Sequence, residues 1–240
     1  MRRGALDRPP SLSDAVVSHI RSAIIRGTYA PGRSLTEKAL ADELGTSRGT
    51  VREALRELAG LGLVTRTPNR GVTVPTLTAV DAEELLTLRA ELEAYAARLA
   101  ISRGRLDDAA LADLAGQVDA IGEAAAAGDV PGMVEADVGF HARLSALSGH
   151  ALLLEHLTTI QHQSQWLLFY CRPYRPAAGV VVESHRQLLD VLRGGDPTAV
   201  AVAIHDHIFR LGTDMIARMA ERESPLHDTP HAGSNSKEPR

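Results

Sequence analysis

The chain has 240 residues, a length that suggests one large domain or two modest ones. Hydrophobic residues make up 44% of it but aromatic residues only 3%, so aliphatic side chains must fill the core. Abundant Ala and Leu favour helix over sheet. The single cysteine, Cys171, excludes an internal disulfide, and neither a signal peptide nor an apolar run of about 20 residues is visible. We therefore expect a soluble cytoplasmic protein without a membrane partner.

Charge is distributed unevenly along the chain. Residues 1–75 contain 12 Lys and Arg against 7 Asp and Glu, whereas residues 76–240 contain 14 against 23. The first segment is therefore basic, although the whole chain has a net charge of −4. A basic segment attached to an acidic body predicts a polyanionic partner for the segment alone.

The first 75 residues show the pattern of a small helical domain with a hairpin. Three helices are predicted there, each beginning at a capping residue: the first at Ser11 or Ser13, the second at Thr36 and the third at Ser47. The stretch "YAPGRSL" between the first two is predicted to be a turn. After the third helix, "LVTRTPNRGVTVP" alternates around the turn formers "TPNRG", which indicates a β-hairpin. This order of elements is typical of a winged helix-turn-helix.

A row of arginines follows one side of the third predicted helix. Arg48, Arg52 and Arg56 are four residues apart and flank an apolar stripe. The positive end of this helix attracts phosphate, and an arginine can also bind the edge of guanine. Alternatively, Arg52 or Arg56 pairs with a glutamate of its own or a neighbouring helix. The short turn, the hairpin and the basic charge balance together favour DNA as the partner.

From residue 81 onward the pattern is helical almost throughout. Residues 76–80 are predicted to be a linker, and residues 223–240, which are polar and rich in proline, a disordered tail. The predicted fold class is therefore mainly α: a winged helix-turn-helix in residues 1–75, followed by an all-α bundle in residues 81–222. The predicted helices of the bundle span residues 81–103, 107–127, 130–148, 150–171, 178–194 and 197–222.

Four polar residues lie in the apolar stripes of three predicted helices of the bundle: Asp137, His141, His185 and His207. A single such histidine is more often a hydrogen-bonded core residue than a ligand. Four buried polar groups are harder to satisfy one by one, since each unpaired one costs about 1–3 kcal/mol. Three imidazoles and a carboxylate that converged on one Zn, Ni or Mn ion would all be satisfied together.

Arg89 raises a similar question, because it lies on the apolar face of its predicted helix. A buried guanidinium needs an anion. Glu93, four residues further along the same helix, and the carboxylate of a bound ligand are both suitable partners.

The stretch "GTYAPGRSLTEKALADELGTSRGTVREALRELAGLGLVTRTPNRGVTV" resembles the DNA-binding domain of GntR-family bacterial transcription regulators, and the likeness covers roughly residues 12–75. The resemblance implies that one group of residues meets the operator, that Gly71 lies at the tip of the wing and that Arg33 contacts the DNA backbone. The operator group is Ser47, Arg48, Thr50 and Arg52.

Residues 81–222 resemble the FCD ligand-binding domain of the FadR-type branch of this family, through "LRAELE", "DVGFHARLSALSGH" and "ESHRQLLDVLRGGDPTAVAVAIHDHI". The resemblance implies one divalent ion per chain, a small organic acid as effector, and Arg89 as one of its contacts. Relatives often have arginines where this chain has Ser164 and Gln165, so we expect a different or less anionic effector, to which Ser164 can form a hydrogen bond. The implied metal ligands are Asp137, His141, His185 and His207.

These patterns together predict a homodimeric transcription regulator, expected to be a repressor, that binds a pseudo-palindromic operator and responds to a carboxylate effector. Two alternatives stay open at this point. One is a metal-dependent hydrolase joined to a DNA-binding module, although its predicted site lacks an additional base or nucleophile. The other is a regulator whose metal is purely structural.

Overall fold

A computed structural model describes residues 11–67, 71–170 and 177–223 of the chain. It confirms the predicted fold class: helices with a small sheet come first, and an all-helical bundle follows. The predicted hairpin turn at 68–70 and, apart from residue 223, the predicted tail lie outside the described residues. The elements in chain order are α1 (Leu12–Ile25), β1 (Ser34–Leu35), α2 (Glu37–Leu44), α3 (Arg48–Gly60), β2 (Thr65–Thr67), β3 (Gly71–Thr73), α4 (Ala79–Ser102), α5 (Asp108–Ala126), α6 (Val130–Ala146), α7 (Ala151–Tyr170), α8 (Ala178–Gly194) and α9 (Pro197–Glu223).

The helices begin where side chains satisfy their free backbone N–H groups. The Oγ atom of Ser11 accepts a hydrogen bond from the Asp14 backbone N at 3.2 Å, and Thr36 and Ser47 cap α2 and α3 in the same way. Helix α4 begins two residues before its predicted start, because Thr78 and Asp81 form a reciprocal capping box.

The sheet has a strand that the sequence pattern does not reveal. Residues 34 and 35 form β1, which pairs antiparallel with β3 so that Leu35 faces Val72. Strand β3 also pairs with β2, and the order across the sheet is β1–β3–β2. Two residues are too few to show the alternation that marks a strand, so the prediction of a simple turn was wrong here.

The N-terminal helices do not form their core alone. Their buried apolar cluster includes Val134 of α6 together with Trp166 and Phe169 of α7. A Cβ atom on Gly62, which has a φ of 70°, would collide with the side chain of Gln163 in α7. The segment that follows α3 is therefore packed tightly on α7. The N-terminal helices and sheet together rest on α6 and α7 of the bundle.

The second core fills the bundle itself. Helix α4 packs along α9, α5 packs on α6 and α8, and α7 packs on α4 and α6. Phe140 and Leu144 of α6, Ile121 of α5 and Ile204 of α9 are almost completely buried in this core. Among the described residues, no helix combines the length and the hydropathy needed to cross a membrane.

We predict that Phe169→Ala will destabilise the chain, because it removes an aromatic side chain that is only 6% exposed and joins α7 to the N-terminal core. The expected loss in the free energy of unfolding is about 3–5 kcal/mol. Urea denaturation followed by the fluorescence of Trp166, the only tryptophan, measures this loss.

Val202→Ala is the control, because Val202 is 57% exposed on α9. Its effect should stay within about 0.5 kcal/mol. Similar losses for the two variants would show that Phe169 does not join the two parts.

Candidate metal centre and DNA-binding surface

All buried Asp, Glu, His, Lys and Arg side chains of the described residues lie on four helices of the bundle. Ionic contacts and ring contacts connect them into one group. Burying an ionisable group is costly unless it is paired, so such a concentration needs a common explanation. The group consists of Arg89 and Glu93 on α4, Asp137 and His141 on α6, His185 on α8 and His207 on α9.

The three histidines share one arrangement, in which Nδ1 meets a neighbour and Nε2 points into the group. The Nδ1 contacts are Glu93 Oε2 at 2.6 Å from His141, Val181 O at 2.8 Å from His185, and Ser184 Oγ at 2.8 Å from His207. One nitrogen of each ring can act as a ligand atom, and these atoms all lie within 4.8 Å of one another. Outer partners of this kind fix the orientation of histidines that bind metals.

A close contact between His185 and Asp137 lacks a hydrogen bond. The carbonyl of Val181 can only accept, so Nδ1 of His185 carries a hydrogen, and when the ring is neutral its Nε2 is bare. This Nε2 lies 3.2 Å from Asp137 Oδ1, yet it has no hydrogen-bond partner. Two buried acceptors at this distance repel each other unless a cation lies between them.

Electrostatics keeps these groups in the protonation states that ligate metals. Burial alone would raise the pKa of Glu93, but Arg89 and His141 outweigh it and hold the pKa at about 2. Burial likewise opposes ionisation of Asp137, but His185 in its protonated form, followed by His141 and Arg89, holds the pKa of this carboxyl below its usual value. Burial lowers the pKa of His141, and it lowers that of His207 strongly, so both rings are neutral near pH 7.

A small cavity of about 40 Å³ opens beside the histidines. It has room for an ion and a small ligand, but not for a large one. Together with the three convergent histidines, this space shows that the group can hold a metal ion. The cavity is lined by Leu86, Arg89, Asp137, His141, Leu168, His207, Ile208, Gly212 and Met215.

Arg89 contacts Glu93, the partner predicted on its own helix, and also reaches the space where a ligand could bind. Its Nε donates to Glu93 Oε1 at 2.7 Å, and the side chain also lines the cavity. The other oxygen of Glu93 accepts from His141, so one buried carboxylate joins Arg89 to a histidine of the cluster. Ser164 is buried and its hydroxyl has no partner, but it does not line the cavity.

Sequence reasoning missed two of these contacts. Glu93 was considered only as a partner of Arg89, because His141 is 48 residues away along the chain. Ser184 gives no signal in the sequence, although its hydroxyl meets Nδ1 of His207. Both contacts depend on how the helices pack, which local periodicity does not report.

The surface of α3 presents most of the residues predicted to bind DNA. Ser47 caps the helix, and its Oγ lies 2.9 Å from the Oγ1 of Thr50. Arg48 is exposed. The guanidinium of Arg52 donates to both carboxylate oxygens of Glu37 on α2, at 2.8 and 2.6 Å. Arg52 therefore pairs with a glutamate of a neighbouring helix, as its place in the sequence allowed.

The other two predicted DNA contacts lie near the sheet. The guanidinium of Arg33 lies 4.2 Å from the ring centroid of Tyr29 and 3.9 Å from a carboxylate oxygen of Glu43. Gly71 is exposed at the start of β3 with a φ of 83°, a conformation that glycine adopts readily. Both residues are accessible to a partner.

Comparison with known families accounts for most of the chain. The family "Bacterial regulatory proteins, gntR family" matches residues 12–74, and the FCD domain matches residues 84–210. The chain belongs to the GntR family. Its members with an FCD domain are transcriptional regulators and not enzymes, so this GntR-family protein is a regulator, and the hydrolase alternative is excluded.

Individual relatives agree with this assignment. This regulator is 30% identical over 197 residues to a "Probable D-xylose utilization operon transcriptional repressor" from Paenarthrobacter nicotinovorans. The aligned region covers 80% of this chain and 85% of the relative. A GntR transcriptional regulator from Rhodococcus sp. RHA1 has a TM-score of 0.71 at 27% identity, covering 85% and 97% of the two chains. Escherichia coli McbR/YncC shares the fold, with a TM-score of 0.73 at 24% identity and coverage of 89% and 99%.

We predict that the metal-free protein loses stability between about pH 7.5 and pH 5.5, because the unfolded chain protonates its histidines there while buried His141 and His207 stay neutral. Both histidines contribute to the loss, because burial lowers their pKa in the folded chain. His207→Gln should reduce the loss by up to about 1 kcal/mol in urea denaturation with a chelator present.

His205→Gln is the matched control, because His205 is part-exposed on the same helix and meets exposed Glu91. It should leave the pH dependence nearly unchanged. The same pH dependence in His207→Gln and in the wild type would contradict a neutral, buried His207.

Proposed function

We propose that this chain is a ligand-responsive transcriptional repressor, in which residues 1–75 bind duplex DNA and residues 81–222 bind a divalent metal ion and a small organic acid. The observation that carries the proposal is the convergence of three buried imidazoles beside an unpaired contact with Asp137. An isolated structural core would not need this arrangement, since apolar side chains would fill the space at lower cost.

The proposed metal ligands are the Nε2 atoms of the three histidines and a carboxylate oxygen of Asp137. A cation would remove the repulsion between Asp137 Oδ1 and His185 Nε2, and the Nδ1 partners hold the rings in place. Imidazole and carboxylate ligands suit Zn, Ni or Mn. When bound, the ion supplies positive charge and open coordination positions for an oxygen of the effector.

The proposed effector is a carboxylate, because Arg89 lines the cavity beside Asp137, His141 and His207. A carboxylate there can approach the metal position and the guanidinium together. The unpaired hydroxyl of Ser164 is the proposed additional hydrogen-bonding group. It lies one helical turn from Leu168, which does line the cavity.

Two helices give the effector a route to the DNA-binding part. Helix α6 contributes Asp137 and His141 to the cluster and Val134 to the N-terminal core. Helix α7 contributes Leu168 to the cavity and Trp166 to the N-terminal core. A rearrangement around the bound acid therefore shifts the helices on which the DNA-binding part rests, and it changes operator affinity if one arrangement binds the acid better.

The proposed operator contacts are Ser47, Arg48, Thr50 and Arg52, at the start of α3, with Arg33 and Gly71 nearby. The exposure of Arg48 and the free N–H groups at the start of α3 support this assignment. The pairing of Arg52 with Glu37 holds its guanidinium in a fixed position, from which it can reach DNA. A homodimer on a pseudo-palindromic operator would present two such helices one turn of the duplex apart.

We expect His185→Ala to lower the metal content of the purified protein from one ion per chain to far less than one, since it removes an imidazole that is completely buried beside Asp137. Elemental analysis and native mass spectrometry measure the content. Because burial lowers the pKa of His141 and His207, metal affinity should persist to a lower pH than it would with ordinary imidazoles.

His205→Ala is the control and should leave the metal content unchanged, because His205 meets Glu91 outside the cluster. Full metal content in His185→Ala, or its loss in His205→Ala, would refute the proposed ligand set.

We expect Arg48→Ala to weaken binding to a duplex selected by the wild-type protein by about 1–3 kcal/mol if Arg48 contacts a base, and to reduce the salt dependence of binding if it contacts a phosphate. Fluorescence anisotropy over a range of salt concentrations separates the two. Arg193→Ala removes an exposed arginine from α8 and should change neither quantity. Equal affinities of wild type and Arg48→Ala at all salt concentrations would exclude this contact.

A further inference from the structure

The buried group has a definite charge once a metal is bound. Arg89 contributes one positive charge, Glu93 and Asp137 contribute one negative charge each, and ligated imidazoles are neutral. A divalent ion therefore leaves this site with a single net positive charge. Excess charge in a buried site is costly, so the most favourable effector is one that cancels it.

We infer that Glu93 sets the charge of the effector: by cancelling the charge of Arg89, it makes the metal-loaded site select a small, singly charged carboxylate over a doubly charged one. The inference rests on the proposed metal and effector site. It goes further by naming the class of acid and the residue that determines it.

Glu93 is firmly held in this role. Its side chain is 1% exposed, one oxygen lies 2.7 Å from Arg89 Nε, and the other lies 2.6 Å from His141 Nδ1. Water cannot screen its charge, and moving it would break both contacts. The charge of Glu93 is therefore a permanent part of the site that any bound acid meets.

The rest of the lining offers nothing for a second carboxylate. Among the described residues that line the cavity, Arg89 is the only Arg or Lys. On α7, the buried side chains of Gln161 and Ser164 are uncharged, and the amide nitrogen and hydroxyl have no hydrogen-bond partner. Neither residue lines the cavity, so neither brings a positive charge to a second carboxylate. The small cavity further favours an acid of a few carbon atoms.

Malonamate and malonate test the inference, because they have nearly the same size and differ by one charge. Calorimetric titration of the metal-loaded, full-length wild type should show roughly tenfold tighter binding of malonamate. Glu93→Gln removes one negative charge and should shift the ratio of the two dissociation constants toward malonate by roughly tenfold or more.

Two further variants separate charge from structural damage. Glu91→Gln makes the same change at a side chain on α4 that is 71% exposed, and it should leave the ratio unchanged. Arg89→Gln removes a positive charge and should shift the ratio in the opposite direction, toward malonamate. Opposite shifts are not expected from a general loosening of the bundle. If Glu93→Gln does not fold, an unchanged ratio in Arg89→Gln still overturns the inference, because the charge of the site would then not select the acid.

Metal content is measured first in every sample. A wild type that binds one ion per chain but prefers malonate, binds neither acid, or keeps its ratio in both Glu93→Gln and Arg89→Gln would overturn the inference and leave the metal site in place. A wild type that binds no metal would overturn the proposed function itself.

Discussion

Inside the bundle, an oxygen of Asp137 and a nitrogen of His185 lie 3.2 Å apart without a hydrogen bond between them. Both atoms are acceptors when the ring is neutral, and burial deprives them of water. A cation in this place turns a repulsive contact into two attractive ones. The same cation would join α6, α8 and α9 through side chains that are costly to bury separately. Much of the chemistry of the bundle therefore depends on this contact.

The groups behind the cluster extend its influence. Glu93 and Ser184 hold two of the rings by their Nδ1 atoms, and Glu93 also holds Arg89 at the edge of the cavity. The same buried carboxylate thus orients His141, one of the proposed ligands, and would contribute to the charge that a bound acid meets. Because α6 and α7 also complete the core of the DNA-binding part, the proposed effector could act on that part through packed helices.

Much of the fold follows from local patterns. Capping residues and apolar spacing predict the helices closely, because both are properties of a few neighbouring residues. Periodicity also separates the two histidines near the end of the chain: His207 belongs to the apolar stripe and is buried, whereas His205 does not and meets exposed Glu91. Strand β1 was missed because it has only two residues and is defined by its pairing with β3.

Sequence alone predicts a residue of the site only where a polar side chain occupies a position that the helical pattern reserves for apolar ones. Asp137, His141, His185 and His207 are polar residues within apolar stripes, so helical spacing alone singles them out. Glu93 could be linked to Arg89 by the same spacing, but its contact with His141 depends on how α4 and α6 pack. The pair formed by Arg52 and Glu37 similarly joins two helices whose relative placement no local pattern reports.

Diffraction from crystals of the metal-loaded protein, measured at the absorption edge of the bound metal, tests the central claim most directly. The account predicts one strong anomalous peak per chain, about 2.0–2.2 Å from Nε2 of His141, His185 and His207 and from a carboxylate oxygen of Asp137. A peak elsewhere, or no peak in crystals soaked with Zn, Ni or Mn, would contradict it.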